Sequence, residues 1–191
     1  MYYALPFQID DDIVADLDHA IDFYQKDKTD DLRMAPKLRQ WHVNPSLSQR
    51  MKVRYATQLL SRTVSAGIRT MAQDGRLPLQ AMHTSDFFRK ANDCFDLLNS
   101  STPNTFSHKQ AISRSNYQQK FKEIDEYTEW ITKWTFQNDK VTKSSMPFQQ
   151  GLLMTLRGVK EIIKRCFEMN FRFVPTRRLN QDCLEVRVKS V

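Results

Sequence analysis

Glycine is nearly absent from this chain: four occur in 191 residues, and long stretches run without glycine or proline. Those two residues interrupt helices most readily, through backbone freedom in one case and a missing N–H in the other. A chain so poor in them reads as helical. The expected fold class is therefore predominantly all-α, with a little extended structure near the C-terminus.

Apolar periodicity divides the chain. Ile13, Leu17, Ile21, Phe23 and Tyr24 predict a first amphipathic helix over about 11–25. Residues 27–46 read as a connector with Pro36 and Pro45 as breakers. Ser46 or Ser48 can cap a long helix running to about Asp74 and closed by Gly75. Thr84 or Ser85 opens the next, which ends near Leu98 before the NSSTPN run at 99–104. Tyr117, Phe121, Ile124, Tyr127, Trp130, Ile131 and Trp134 form an apolar stripe that predicts a helix and a core face over 117–136. Pro147 suits the first turn of a helix to about Met169. Phe171, Phe173 and Val174 alternate with Asn170 and Arg172, so a short extended segment is expected before a turn at TRRLNQD.

The length suits one domain, or one domain with fragments of a neighbour. A mean hydropathy of -0.60 and the lack of any long apolar run exclude a membrane span, and the first residues lack the basic and apolar regions of a signal peptide. Cys94, Cys166 and Cys183 stand far apart with no histidine at zinc-site spacing, so they read as incidental thiols in a reducing compartment. The net charge of +7 is unevenly spread: residues 9–31 are acidic, whereas 33–70 and 157–189 are basic. That asymmetry favours a basic groove for an anion.

Three segments carry chemistry. The first is RMAPKLRQWHVNPSLSQRMKV, Arg33 to Val53, with Lys37 in the connector and Lys52 near a helix start. A lysine beside a helix N-terminus is a natural phosphate site, and equally an ordinary solvated lysine. The second is SDFFRKANDCFDLLN, Ser85 to Asn99. On a helix Phe87, Ala91, Cys94 and Leu98 make a core face, while Asn92, Phe95, Asp96 and Asn99 form a second stripe. A carboxylate can accept from N1–H and the 2-amino group of guanine, amides can read O6 or the ribose, and a ring can stack on the base. The same stripe also reads as a solvated edge. The third is TRRLNQDCLE, Thr176 to Glu185, where Arg177 and Arg178 could clamp phosphates and Asp182 lies three residues before Glu185.

In this order the three segments resemble the insertion domain of P-element-type DNA transposases, including those that carry THAP domains. The resemblance runs from about residue 20 to Glu185. It implies a helical GTP-binding insertion domain over 33–175, with short remnants of an α/β RNase H-like core at 1–32 and 176–191. By carry-over, Lys37, Lys52, Val53, Asn92, Phe95, Asp96, Asn99 and Asp182 contact the nucleotide. Asp182 reaches the nucleotide or its Mg2+. Glu185 is the last member of an acidic triad for two-metal phosphoryl transfer. The resemblance further implies a nuclear protein, DNA (transposon ends) as partner of the full-length parent, and self-association through an N-terminal region that would precede residue 1. The two earlier catalytic aspartates would also lie there, so the expectation is a truncated copy that does not cut or join DNA alone.

Neither a GxxxxGK[ST] loop nor an NKxD-type tetrad occurs, and TKSS at Thr142 to Ser145 lacks the glycines of a phosphate loop. Nothing is placed to activate water, so GTP is expected to position nucleic acid rather than to be hydrolysed. The competing expectation is a host-retained helical interaction or nucleic-acid-binding module that has lost the nucleotide. An intact independent enzyme is disfavoured, because His42, His83 and His108 form no convincing nucleophile–base pair with the serines around them.

Overall fold

A computed structural model describes residues 7–10, 13–50, 52–103, 109–138, 141–143 and 146–179. It is predominantly helical, as the scarcity of glycine and proline predicts. The chain divides into two compact units, Met1–Asn92 with Lys133–Ser145, and Asp93–Thr132 with Met146–Val191.

The first unit begins with strands β1 (Phe7–Asp10) and β2 (Ile13–Ala15), followed by helix α1 (Leu17–Asp27). The predicted helix over 11–25 therefore starts later. The β-branched pair Ile13–Val14 joins a strand instead, and Asp16 caps α1 by accepting from the Asp18 amide at 3.0 Å. Next come α2 (Gln40–Val43), α3 (Val53–Leu59), α4 (Arg62–Gln73) and α5 (Ala81–Leu98), the last continuing past Asn92 into the second unit. One long helix was expected where α3 and α4 stand. Ser61 breaks it: its backbone is extended (φ -73°, ψ 155°), and its hydroxyl accepts from the Val64 amide to cap α4. Gly75 closes α4 as predicted, at φ +71°, with Gly75 N–H donating to Ala72 O and Arg76 N–H to Met71 O.

Helix α4 packs on α1 through Gly67, where an added Cβ would stand 2.4 Å from Phe23 Cζ. Buried Ser65 and Ser85 exchange hydroxyl-to-carbonyl bonds (2.8 and 2.9 Å) and so join α4 to α5. Strands β4 (Thr135–Asn138) and β5 (Val141–Lys143) complete an antiparallel sheet of order β2-β1-β4-β5, with Phe7 opposite Phe136.

The second unit holds the end of α5, β3 (Ile112–Ser113), α6 (Tyr117–Thr132), α7 (Pro147–Glu168), β6 (Phe173–Val174) and a 3-10 turn at Thr176–Leu179. Ile124, Tyr127, Trp130 and Ile131 of α6, and Leu153, Leu156, Val159 and Ile163 of α7, are buried. The stripe predicted over 117–136 stops being helical at Thr132, because Thr135 and Phe136 pair into the sheet of the first unit. Buried Gln149 donates to Ile131 O at 2.6 Å, satisfying one of the carbonyls that every helix C-terminus leaves open. Pro147 opens α7 as expected. Asn170, at φ 63°, ends it with the Phe171 amide bonded to Cys166 O. The predicted extended segment is β6, paired antiparallel with β3.

Candidate functional site

In the first unit, Lys37 stands exposed on a turn between buried Ala35 and Leu38. The turn is anchored by Asp27, whose carboxylate is fully buried at the last residue of α1. Its Oδ1 accepts from the Met34 and Ala35 amides (2.6 and 3.3 Å), and its Oδ2 from Arg33 Nε (3.1 Å). Arg33 in turn donates to the carbonyls of Ala35 and Leu38 and lies 5.9 Å over the Tyr24 ring. The Met34 and Ala35 amides and the Ala35 and Leu38 carbonyls are thereby paired, and Lys37 is left exposed.

Lys52 and Val53 lie where the sequence placed them, at a helix start. Lys52 is the N-cap of α3 and Val53 its first residue, both exposed. The Lys52 ammonium stands 5.5 Å from the Tyr55 ring centroid and the Arg54 guanidinium 5.1 Å. Residues 33–70 contain eight lysines and arginines and no acidic residue, and the local positive field is visible in the neighbouring groups. Arg54 and then Lys52 hold the Tyr55 phenol below its ordinary value. Burial, followed by the charges of Arg39 and Arg54, lowers His42. Its Nδ1 accepts from the Arg39 amide at 2.9 Å and its ring meets Tyr55 edge-on at 5.1 Å, so α2 and α3 are joined by a neutral imidazole.

Helix α5 carries the second group. Its core face is Phe87, Phe88, Cys94 and Leu97, with Ala91 and Leu98 only half-buried, so the apolar stripe is rotated slightly from the predicted one. Asn92, Phe95 and Asn99 follow buried Phe88 at i+4, i+7 and i+11, so their stripe borders the core, and Asp96 lies further round the helix; Phe95 is 40% exposed. Lys109 Nζ stands 3.5 Å from Asp96 Oδ1. Asn99 Oδ1 is buried with no hydrogen-bond partner among the described residues. An orphaned buried acceptor costs about 1–3 kcal/mol. A donor from a bound molecule would remove that cost, so this acceptor fits a ligand that presents an N–H or O–H group.

Asp182 and Glu185 lie outside the described residues, and among the described residues no cluster of three His, Cys, Asp or Glu suited to a metal ion occurs. Sequence reasoning gave no role to Asp27, Arg33, Lys109, Ser100 or Thr176. One signal was available for Asp27: a carboxylate opposes the helix dipole at a C-terminus, so an aspartate there points to a tertiary partner.

The TNP-like, GTP-binding insertion domain family matches residues 6–111. The transposable element P transposase of Drosophila melanogaster is 31% identical over 81% of this chain and 20% of its own length. A chain of the Drosophila P element transposase strand transfer complex superposes with a TM-score of 0.81 at 26% identity, covering 98% of this chain and 41% of that one. The chain thus spans about a fifth of the curated relative and two fifths of the solved one.

Proposed function

The chain belongs to the family of TNP-like, GTP-binding insertion domains, and from that premise we propose that it binds GTP on the side of α5 that carries Asn92, Phe95, Asp96 and Asn99. In this reading Asp96, oriented by Lys109, accepts from N1–H and the 2-amino group of guanine. The amides of Asn92 and Asn99 read O6 or the ribose, and Phe95 stacks on the base. Lys37, Lys52 and the backbone at Val53 receive the phosphates. Asp182 reaches the nucleotide or its Mg2+, and Glu185 serves an RNase H-like core as one of its metal ligands.

The insertion spans 33–175, with 1–32 and 176–191 belonging to that core. Within a longer, nuclear P-element-like transposase acting on transposon ends, GTP positions DNA for strand transfer and is not hydrolysed. The observation that carries this reading is the orphaned Asn99 Oδ1 beside Asp96 and half-exposed Phe95 on one helix of a GTP-binding family.

Calorimetric titration of the chain with GTP and with ATP, with and without Mg2+, tests it. GTP is expected to bind at least about tenfold more tightly than ATP, a difference of about 1.4 kcal/mol, and to be recovered intact. Asp96→Ala should abolish the preference. Equal affinities, or no binding of either nucleotide, would favour the retained interaction module instead.

A further inference from the structure

The last turn of α5 is capped by a residue that follows it by more than seventy positions. An α-helix leaves its final carbonyls without intrahelical donors, and α5 ends in Leu98 with no glycine to close it. Thr176 supplies the closure. Its hydroxyl donates to Leu97 O at 2.7 Å and accepts from the Ser100 amide at 2.9 Å. The Ser100 hydroxyl lies 2.8 Å from the same oxygen and accepts from the Thr176 amide at 3.1 Å. The Arg177 amide then donates to Ser100 O at 3.0 Å. Thr176 and Ser100 are 1% and 0% exposed, so water does not compete for these bonds.

We propose that Thr176 is a positioning residue for base recognition, a cap supplied by tertiary contact that fixes the turn of α5 bearing Asp96 and Asn99. Asn99 lies between Leu97 and Ser100, the two residues whose backbone Thr176 holds. Asp96 sits one residue before Leu97, and its carbonyl accepts from the Asn99 amide at 3.2 Å. The opening Thr of TRRL therefore sets where two donor-reading side chains stand, without touching the ligand itself. Freed from the cap, the turn frays, and a fraying turn loses angular discrimination between a guanine and an adenine edge before it loses stacking or phosphate contacts.

The inference rests on the guanine-nucleotide reading above, and the test separates the two. In the parent chain the ratio of GTP to ATP affinity is measured first; a ratio near one defeats the nucleotide reading itself. Given a parent preference, Thr176→Val, which keeps shape and loses the hydroxyl, should reduce the ratio by about fivefold to tenfold, the scale of one buried hydrogen bond. Thr176→Ser should restore it. Thr155→Val, which deletes an exposed hydroxyl of α7 bonded to Gly151 O, should leave the ratio within about twofold of the parent. A purely structural role would lower the unfolding midpoint of Thr176→Val and weaken both nucleotides equally. That result overturns the proposal, as does a ratio that falls as far in Thr155→Val as in Thr176→Val. If Thr176→Val does not fold, Ser100→Ala decides: it removes the acceptor of the Thr176 amide and should lower the ratio, and a parent-like ratio there defeats the cap.

Discussion

Replacing Asp27 with asparagine exchanges one carboxylate oxygen for an NH2 group, removes the charge, and tests how the Lys37 turn is held. The amide oxygen can still accept from the Met34 and Ala35 amides at the Oδ1 position. The NH2 group, however, would face Arg33 Nε donor to donor where the carboxylate now accepts at 3.1 Å. Breaking a buried, hydrogen-bonded ion pair by removing one partner costs about 3–5 kcal/mol. Arg33 keeps 19% side-chain exposure and two carbonyl acceptors, so part of its charge remains solvated and bonded. The expected loss is therefore about 2–3 kcal/mol.

Hydrogen exchange at the Met34 and Ala35 amides reads this opening directly, and urea unfolding gives the global value. Arg33→Met and the double variant complete a cycle. Because replacing both partners of a buried pair is often near neutral, the double variant should recover part of the loss. Asp27→Asn should also weaken nucleotide binding in proportion to the freedom gained by Lys37. Stability within about 0.5 kcal/mol of the parent, the ordinary scatter of surface substitutions, with unchanged exchange at both amides, would refute the anchoring argument.

Two further predictions concern the frame. Gly67→Ala puts a methyl 2.4 Å from the fully buried Phe23 ring. Overpacking of about 1–3 kcal/mol, offset by about 1 kcal/mol of helix propensity, should leave a net loss of about 0–2 kcal/mol. Gly151→Ala on α7, where nothing lies within 4 Å of the added Cβ, should instead stabilise; calorimetric unfolding of both variants checks the contrast. His42 has a folded pKa below its ordinary 6.5, from burial first and then Arg39 and Arg54. The unfolded chain therefore binds the proton more readily, and the imidazole's contribution is full above pH 6.5 and lost as pH falls through the folded value. Urea midpoints at pH 7.5 and 5.5 should fall further in the parent than in His42→Phe; equal falls would remove His42 from the account.

What could be read from the chain and what could not follows from how far apart the interacting residues lie. The α5 face was legible because residues three and four apart share a helix side wherever the helix goes. Asn92, Phe95, Asp96 and Asn99 needed only the helix to exist. The Gly75 and Pro147 boundaries were legible for the same local reason. Strand β1 was not, because its partner Phe136 stands far along the chain from Phe7, and a strand edge has no meaning until its partner is known. The break at Ser61 was missed because a serine inside a helical pattern becomes a cap only when its own backbone turns extended.

The same division runs through the candidate site. Residues assigned to touch the nucleotide sit in recognisable motifs. The holding roles of Asp27 with Arg33 and of Thr176 with Ser100 are known only from the fold. Damage to this chain should accordingly sort into two classes with different signatures. Substitution of Asp96 should alter binding and leave unfolding nearly unchanged, since it is partly solvated, whereas removing the buried, unbonded Asn99 Oδ1 should alter binding and raise stability by up to about 1–3 kcal/mol. Substitutions at Asp27 or Thr176 should move binding and stability together, because each satisfies buried backbone groups while it orients a neighbour. A copy of the family that keeps the residues assigned to touch the nucleotide but has lost the Thr176 hydroxyl should discriminate poorly between guanine and adenine.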